Sequence, residues 1–269
     1  MNKDKSNNYL EVNKHSWNNR TETHLQSDFY DMPVFLNGVT SLKDIELELL
    51  GDINGKRILH LQCHFGQDTI SLSRMGAEVV GVDLSDVAIE NAKRIANETK
   101  SNATFICCDV YDLENHLNET FDIVFTSYGT ITWLPDLNKW GKIISKFLKP
   151  GGKFIFVEFH PVVWMFDDDF KSISYSYFNV TPIIESENGT YADKNAAISQ
   201  DYVTWNHSLS EVFSGLLNNG LIISQFKEFD YSPYNCFNQT VEIAPNCYRI
   251  KHLEDKIPMV YALEAVKQF

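Results

Sequence analysis

Short apolar runs alternate with amphipathic segments between residues 57 and 159, and this alternation constrains the fold more than any other feature. The runs have the length and continuous apolar character of buried parallel strands. The segments between them carry one apolar face at helical spacing. Such an alternation predicts a parallel sheet with helices on both faces. The predicted strands are 57–62, 78–83, 103–107, 121–126 and 153–159, and the predicted helices are 66–75, one capped by Ser85, and 137–148.

The interruptions of this rhythm divide the 269-residue chain into four predicted parts. The stretch before the core is polar and rich in Asn, which suggests a frayed tail, although its scattered aromatic residues favour partial docking. A helix is predicted to begin at Ser41, with Ser41 and Asp44 as a capping pair. The long aromatic stretch after the fifth strand predicts an ordered lid. The parts are an N-terminal tail and capping helix (1–50), an α/β core (51–160), an inserted lid (161–206) and a C-terminal part of the core (207–269), with a helix over 208–218 and strands over 221–229 and 257–266.

Charge and cysteine content argue against several classes of partner. The chain has 23 Lys and Arg against 36 Asp and Glu, a formal charge of −13, which repels nucleic acid and anionic lipid. The N-terminus lacks an apolar signal-peptide core, and no run approaches the about 18 apolar residues of a membrane span. Five cysteines without a C-x-x-C pair indicate free thiols. We therefore expect a cytoplasmic protein, monomeric or homodimeric, with no nucleic-acid or membrane partner.

Polar residues follow the predicted strands at the edge where ligands bind in sheets of this kind. The first strand runs into a tight turn that ends at Gly66, where a helix begins. Asp83 ends the second strand, where a carboxylate can accept hydrogen bonds from both hydroxyls of a ribose. Asp109 follows the third strand and can accept a hydrogen bond from an adenine amino group. Together these residues predict a nucleoside site.

In this order and spacing, the pieces resemble the class I S-adenosylmethionine-dependent methyltransferases, well over residues 51–160 and in outline over 207–269. The chain is also similar to a bacterial, mostly uncharacterised subfamily that has a strand-turn of the form LHLQCHFGQDT. The resemblance implies a doubly wound, mostly parallel Rossmann-like sheet with an antiparallel C-terminal edge and an inserted lid. It also implies S-adenosylmethionine as cofactor and a small-molecule methyl acceptor. The segments that fit the subfamily are TSYG (126–129), WLPD (133–136), EFHP (158–161) and DYSPYN (230–235).

The resemblance further implies a role for each residue of the cofactor site. The turn of residues 62–66 lies beside the methionine part, and Asp83 binds the ribose. Leu84 and Val110 pack near the adenine, whose amino group Asp109 reads. The backbone after the fourth strand meets the methionine amine. The implied cofactor-binding residues are Gln62, Cys63, His64, Gly66, Asp83, Leu84, Asp109, Val110, Thr126 and Ser127.

One departure from the family pattern concerns the turn itself. The family has an acid followed by G-x-G-x-G, whereas this chain has His60 at the acid position and Gln62 and His64 at the first two glycine positions. Glycine serves where the backbone needs a positive φ or must touch a ligand. Its loss argues against a dinucleotide, whose pyrophosphate needs bare backbone at a helix N-terminus. We hypothesise that the His64 imidazole or the Gln62 amide contacts the methionine carboxylate; alternatively, both side chains face the protein.

Catalytic residues are harder to identify, because methyl transfer needs a general base only when the acceptor must lose a proton. His160, at the end of the fifth strand, is the candidate base, since an imidazole titrates near neutrality; the alternative is a structural histidine bonded to backbone. Tyr128 is a second catalytic candidate. Trp133 and Trp164 are candidates for contact with the substrate, with simple packing as the alternative.

Two other functions compete with methyl transfer, and no metal site is predicted. A nucleotide-dependent oxidoreductase is disfavoured by the missing glycines and by the second acid at Asp109. A protein that binds S-adenosylmethionine without catalysis stays open because of the altered turn. The consecutive carboxylates at 167–169 have no spaced His or Cys partner, which predicts a solvated acidic turn.

Overall fold

The computed structural model describes residues 2–268, and these hold eleven strands and eight α-helices. The strands are β1 Arg57–Leu61, β2 Glu78–Asp83, β3 Thr104–Cys107, β4 Phe121–Ser127, β5 Leu148–Phe159, β6 Ile183–Asn188, β7 Ser199–Thr204, β8 Leu221–Phe229, β9 Thr240–Ala244, β10 Cys247–Ile250 and β11 Val260–Lys267. The helices are α1 Asn2–Asn7, α2 Tyr9–Gln26, α3 Met32–Leu36, α4 Asp44–Leu50, α5 Gln67–Arg74, α6 Asp86–Glu98, α7 Leu137–Phe147 and α8 Leu209–Leu217.

Seven strands form the central sheet, in the order β3-β2-β1-β4-β5-β11-β8. The first five strands pair in parallel, and β11 lies antiparallel to both β5 and β8. The predicted sheet, mostly parallel with an antiparallel C-terminal edge, is therefore confirmed. The strand order reverses between β1 and β4, and a crevice is expected at the carboxyl ends of strands on either side of such a point.

Alternate residues of each strand pack on opposite faces of the sheet. On β1, Leu59 and Leu61 belong to the apolar cluster that includes α7 and α8, whereas Ile58 packs with α4 and α5. The largest buried side chain of the first face is Trp140, fully enclosed against two phenylalanines of β5. The helices therefore cover both faces, and the strand ends are left to form the site.

Helices α7 and α8 approach each other closely at Gly141 and Gly215. A Cβ added to Gly141 would lie 2.0 Å from the Gly215 carbonyl oxygen, so the helices would have to separate. We expect Gly141→Ala to lower the free energy of unfolding by about 1–3 kcal/mol through overpacking, measured by urea denaturation. Lys142→Ala, at the exposed neighbouring position, should stay within about 0.5 kcal/mol of the parent. Equal midpoints for the two variants would contradict this packing.

The first part of the chain is helical, which the sequence did not predict. Helix α2 spans 18 residues, but the side chains that it buries are mostly polar. The helix therefore lacks the apolar periodicity of an amphipathic helix. Its buried face meets a polar part of the cavity wall and the inserted hairpin. The buried residues of α2 are Asn13, Ser16, Arg20, Thr21 and His24.

The predicted capping pair of Ser41 and Asp44 is wrong. Helix α4 begins at Asp44 with Lys43 as its N-cap, and the Lys43 N–H donates to the Glu46 carboxylate at 3.3 Å. The hydroxyl of Ser41 instead donates to the Asp68 carboxylate at 2.6 Å. The Ser41 side chain, which the local pattern assigned to a helix cap, thus bonds a residue that is distant in the sequence.

The insertion between β5 and α8 contains an antiparallel hairpin, β6–β7, that packs on α2. The Asn13 side chain exchanges two hydrogen bonds of 2.8 Å with the backbone of Val203. Lys5 pairs with Asp201 at 2.6 Å. Helix α2 and the hairpin thus form one cover over the strand ends. A second hairpin, β9–β10, lies between β8 and β11 and was not predicted.

No helix within residues 2–268 combines the length and the apolar character needed to cross a bilayer.

Candidate active site

One large cavity of about 1180 Å³ lies at the carboxyl ends of the parallel strands. Its walls come from the strand ends, from α2, from the loop before α4 and from the β6–β7 hairpin. The volume exceeds the roughly 300–1,000 Å³ of ordinary ligand pockets, which leaves room for two small molecules side by side. The predicted site residues that line it are Gln62, Cys63, His64, Gly66, Asp83, Leu84, Asp109, Val110, Ser127, Tyr128, Trp133 and Trp164.

The turn after β1 has the backbone shape of a glycine-rich turn although two of its glycines are missing. Gln62, His64 and Gly66 have φ angles of +56°, +50° and +82°. A left-handed conformation costs a non-glycine residue about 1–2 kcal/mol. The Gln62 amide donates to the Thr130 carbonyl at 2.8 Å and the His64 N–H donates to the Asp83 carboxylate at 2.8 Å, which offsets this cost.

Gly66 is the position of the turn where a side chain cannot fit. A Cβ there would lie 2.6 Å from the ring of Phe105 and 3.1 Å from Ala92. The glycine therefore serves the packing of α5 against its neighbours as well as the positive φ.

The imidazole of His64 belongs to a chain of buried polar groups that reaches the lid. Its Nε2 lies 2.9 Å from Nδ1 of His24, whose Nε2 lies 3.1 Å from the Thr190 hydroxyl. Burial lowers the pKa of His64 to about 3, and the charge of Arg20 is a smaller cause of the same shift. Both imidazoles are therefore neutral at physiological pH, because burial also lowers the pKa of His24. The other ring nitrogen of His64 has no hydrogen-bond partner.

Asp83 joins the turn to the start of α6. One carboxylate oxygen accepts from the His64 N–H and the other from the Ser85 N–H, both at 2.8 Å. Burial raises the pKa of Asp83 to about 6. A carboxylate offers about four acceptor positions. Two positions thus stay open for a ligand.

Asp109 lies beyond the neighbouring strand and also lines the cavity. It caps the short 3₁₀-helix Val110–Asn115 by accepting from the Tyr111 N–H at 3.0 Å. Burial raises the pKa of Asp109. Because Asp83 pairs with Cys107 across the two parallel strands, both carboxylates lie at the same sheet edge.

The loop after β4 is held by a buried carboxylate that the sequence reasoning did not assign. Glu158, on β5, accepts hydrogen bonds from the backbone N–H groups of Gly129, Thr130 (2.7 Å) and Ile131 (3.2 Å) and from the Thr130 hydroxyl (3.0 Å). Burial raises the pKa of Glu158, and these donors oppose the rise. The sequence signal was the single acid of β5, between Val157 and Phe159.

The aromatic candidates Trp133 and Trp164 both belong to the cavity wall. The Trp133 indole donates to the Gly129 carbonyl at 2.8 Å. Trp164 packs edge-on against Phe159 and against Phe237. Both side chains line the cavity, so contact with a substrate and structural packing are compatible roles.

Tyr128 lines the cavity and donates its hydroxyl to the buried Glu46 carboxyl at 2.7 Å. Burial raises the pKa of Glu46 to about 8, and the charge of Asp68 is a smaller cause of the same shift. Burial also holds the pKa of Tyr128 well above its usual value. The phenol therefore stays protonated near neutral pH with its O–H given to Glu46, and it cannot act as a base there.

Two predicted site residues lie outside the cavity lining. His160 is buried with its Nε2 3.0 Å from Glu228 on β8, and its ring packs against Tyr261. Burial lowers the pKa of His160, with Glu228 opposing the change. This geometry does not fit the prediction of a general base, because the ring faces the antiparallel edge of the sheet. Thr126 is fully buried, and its hydroxyl donates to the Leu61 carbonyl at 3.0 Å, which ties β4 to β1.

Arg20 of α2 is a buried cation in the wall that the sequence reasoning missed. Its guanidinium lies 5.2–5.4 Å from the centres of three aromatic rings, and one nitrogen bonds the Glu187 carboxylate at 2.7 Å. Its other two nitrogens have no hydrogen-bond partner. The three rings belong to Trp17, Trp133 and Tyr202.

Residues 58–152 match the family model described as "Methyltransferase domain". Over 124 residues the chain is 32% identical to the ubiquinone biosynthesis O-methyltransferase of Coxiella burnetii, an alignment covering 46% of this chain and 51% of that protein. It is 34% identical over 133 residues to an uncharacterized methyltransferase of Synechocystis, covering 49% and 60% of the two chains. The chain thus matches about half the length of these curated relatives.

Solved structures extend the likeness to the whole fold. An S-adenosylmethionine-dependent methyltransferase from Clostridium acetobutylicum aligns with a TM-score of 0.58 and 16% identity, over 96% of this chain and 99% of that one. The geranyl diphosphate C-methyltransferase of Streptomyces coelicolor aligns with a TM-score of 0.55 and 15% identity, over 82% and 73%, in a complex with S-adenosyl-L-homocysteine. At sequence identities of 15% and 16%, the structural likeness establishes the fold alone.

Proposed function

We propose that this chain, whose residues 58–152 form a methyltransferase domain of the class I S-adenosylmethionine-dependent type, is an enzyme that transfers the methyl group of S-adenosylmethionine to a small molecule. The observation that carries the proposal is one cavity lined by the bent turn of residues 62–66 and by the carboxylates of Asp83 and Asp109. In such a cavity a nucleoside and an amino-acid moiety can be held end to end.

The residues present fit this cofactor. The open acceptor positions of Asp83 match the two hydroxyls of a ribose, and Leu84 and Val110 supply apolar wall for a flat base. The side-chain amide oxygen of Gln62 and one ring nitrogen of His64 are buried without hydrogen-bond partners. Both atoms lie next to the position proposed for the methionine part. The side chains at 62 and 64 cover the turn, which disfavours the pyrophosphate of a dinucleotide and thus the oxidoreductase alternative.

Catalysis in this site depends on positioning and on the exclusion of water. S-adenosylmethionine supplies an electrophilic methyl group on a positively charged sulfur. The protein's part is to align the acceptor for in-line attack and to keep water away, for which α2 and the β6–β7 hairpin provide the cover. Glu158 keeps the loop of Gly129–Ile131 in place beside the acceptor. Tyr128 lines the same cavity, and because its O–H is donated to Glu46, its oxygen is left to accept a hydrogen bond from the acceptor.

The acceptor that we propose is a small molecule with a flat apolar part. The lid side of the cavity is walled by Phe159, Trp164 and Phe237, whose rings pack on one another. A relative named an O-methyltransferase of ubiquinone biosynthesis supports a hydroxyl acceptor. The charge of −13 supports an enzyme without a nucleic-acid partner, and five free cysteines support the cytoplasm as its location. A monomer or homodimer suffices for this site.

A thermal-shift series tests the proposal. S-adenosylmethionine and S-adenosylhomocysteine at 100 times their dissociation constants should each add about 2.7 kcal/mol of stability, whereas NAD should add none. Turnover with phenols, amines and thiols then separates an enzyme from a protein that only binds the cofactor. Stabilisation by NAD alone would contradict the proposal.

The turn residue His64 offers a further test. Because its imidazole is neutral, it can give the methionine carboxylate a hydrogen bond but no charge. We expect His64→Ala to weaken S-adenosylhomocysteine binding about tenfold by calorimetry, the value of one hydrogen bond to a charged group. Binding of 5′-methylthioadenosine, which lacks the carboxylate, should not change. Unchanged affinity for both ligands would refute a contact at His64.

A further inference from the structure

We propose that Asp68 replaces the carboxylate that is missing at position 60 and binds the ammonium group of the cofactor's methionine. This inference rests on the proposed function and assigns one of its residues. It begins from the departure at β1, where the family pattern has an acid and this chain has His60.

His60 cannot supply the missing negative charge. Its ring is buried, lies against Phe125, and has Nδ1 2.8 Å from the Thr69 hydroxyl. Burial lowers the pKa of His60 to about 4, so the imidazole is neutral at physiological pH. A neutral ring cannot balance the positive charge of an ammonium group. An anion for that group must therefore come from another residue.

Asp68 has the position for that anion. It lies in the first turn of α5, two residues after Gly66, and lines the cavity. Its two oxygens accept from the hydroxyls of Ser41 (2.6 Å) and Ser127 (3.3 Å). No Lys, Arg or His among residues 5–268 forms an ion pair with it. The carboxylate is thus oriented by hydroxyl groups, while a cationic ligand group can still approach it.

The groups around Asp68 respond to its charge. Burial raises the pKa values of Tyr30, Tyr128 and Tyr234 and keeps these phenols protonated, and the charge of Asp68 adds to the rise, most of all at Tyr234. It also contributes to raising the pKa of Glu46 to about 8, so Glu46 is neutral near pH 7. Among these acidic side chains, Asp68 is therefore the one left to meet a cationic ligand group.

A positive charge, that of Arg20, lines the same cavity. Burial lowers the pKa values of His24 and His64, and the charge of Arg20 adds to the lowering. Two nitrogens of Arg20 have no hydrogen-bond partner. A zwitterionic amino-acid moiety lying along the turn has its ammonium group towards Asp68 and its carboxylate towards Arg20. This arrangement fixes the direction of the methionine part and therefore of the reactive methyl group.

Calorimetry with three ligands tests the assignment. The ligands are S-adenosylhomocysteine, its deaminated analogue that keeps the carboxylate, and 5′-methylthioadenosine, which lacks both charged groups. Asp68→Asn should weaken S-adenosylhomocysteine at least tenfold and leave 5′-methylthioadenosine unchanged. The deaminated analogue should bind the variant at least as well as it binds the parent, because a repulsion between carboxylates is removed. Asp168→Asn, an exposed carboxylate of the same lining, is the matched control and should change nothing.

The outcomes separate this inference from the proposed function. If the parent protein binds none of the three ligands, the proposed function fails. If the parent binds S-adenosylhomocysteine and Asp68→Asn binds it equally well, only the assignment of Asp68 fails. An equal loss for 5′-methylthioadenosine would also overturn the assignment, because it would mean that Asp68 only supports the shape of the turn.

Discussion

Asp83→Asn is expected to weaken the binding of S-adenosylhomocysteine about a hundredfold. The parent carboxylate holds the His64 and Ser85 N–H groups and, in our account, accepts both ribose hydroxyls. An asparagine keeps one acceptor oxygen, but its N–H₂ group takes the place of the other oxygen. That N–H₂ group then faces a backbone N–H, which is also a donor. The loss of one charge-assisted bond and the new mismatch together cost about 3 kcal/mol, which corresponds to roughly a hundredfold in affinity. Asp86→Asn, a more exposed acid at the start of the same helix, should bind as the parent does.

The same residue predicts how affinity depends on pH. Burial raises the pKa of Asp83 to about 6, and the ionised carboxylate accepts stronger hydrogen bonds from ribose hydroxyls than the neutral acid does. Affinity should therefore be constant above about pH 6 and fall up to tenfold per unit below it, with proton release on binding. Without ligand the sign is opposite: a raised folded-state pKa favours the folded protein at low pH, and this contribution is lost as the pH rises through 6. Calorimetry between pH 5 and 8 measures the first effect, and Asp83→Asn should abolish it.

Glu158→Gln is expected to lower the free energy of unfolding by about 3 kcal/mol and to impair methyl transfer. The carboxylate accepts from three backbone N–H groups of residues 129–131 and from the Thr130 hydroxyl. A glutamine amide places an N–H₂ group among these donors, and each buried donor left without a partner costs about 1–3 kcal/mol. Urea denaturation measures the loss of stability.

A matched control for Glu158 is available on the neighbouring strand. Glu264 is also buried, but it accepts from the half-exposed Lys153 and from the Ser224 hydroxyl rather than from backbone N–H groups. Both partners can reorient around an amide, so Glu264→Gln should cost less than Glu158→Gln. Equal stabilities of the two variants would contradict the account of the loop.

The sequence was most informative where structure follows from local pattern. Continuous apolar runs predicted the five parallel strands, and Asp83 and Gly66 stood out because their positions at strand and helix ends are recognisable along the chain. Helix α2 was missed because it buries polar residues, for which no apolar periodicity exists. The β9–β10 hairpin was missed because its strands are short and β9 is mostly exposed.

The site residues that were missed depend on partners far away in the chain. Arg20 bonds Glu187, 167 positions on, and Asp68 bonds Ser41 and Ser127, 27 and 59 positions away. No local pattern records such contacts. His160 was chosen for its residue type and its place at a strand end, but the side chain of that position points towards Glu228. Position at a strand end thus predicted the edge of the sheet but not the direction of a side chain.

A crystal structure of the protein with S-adenosylhomocysteine tests the central claim most directly. Our account predicts that the nucleoside lies between Asp83 and Asp109, with a ribose hydroxyl within about 3.2 Å of the Asp83 carboxylate and the methionine part along residues 62–66. A ligand bound elsewhere, with both carboxylates remote from it, would contradict the account.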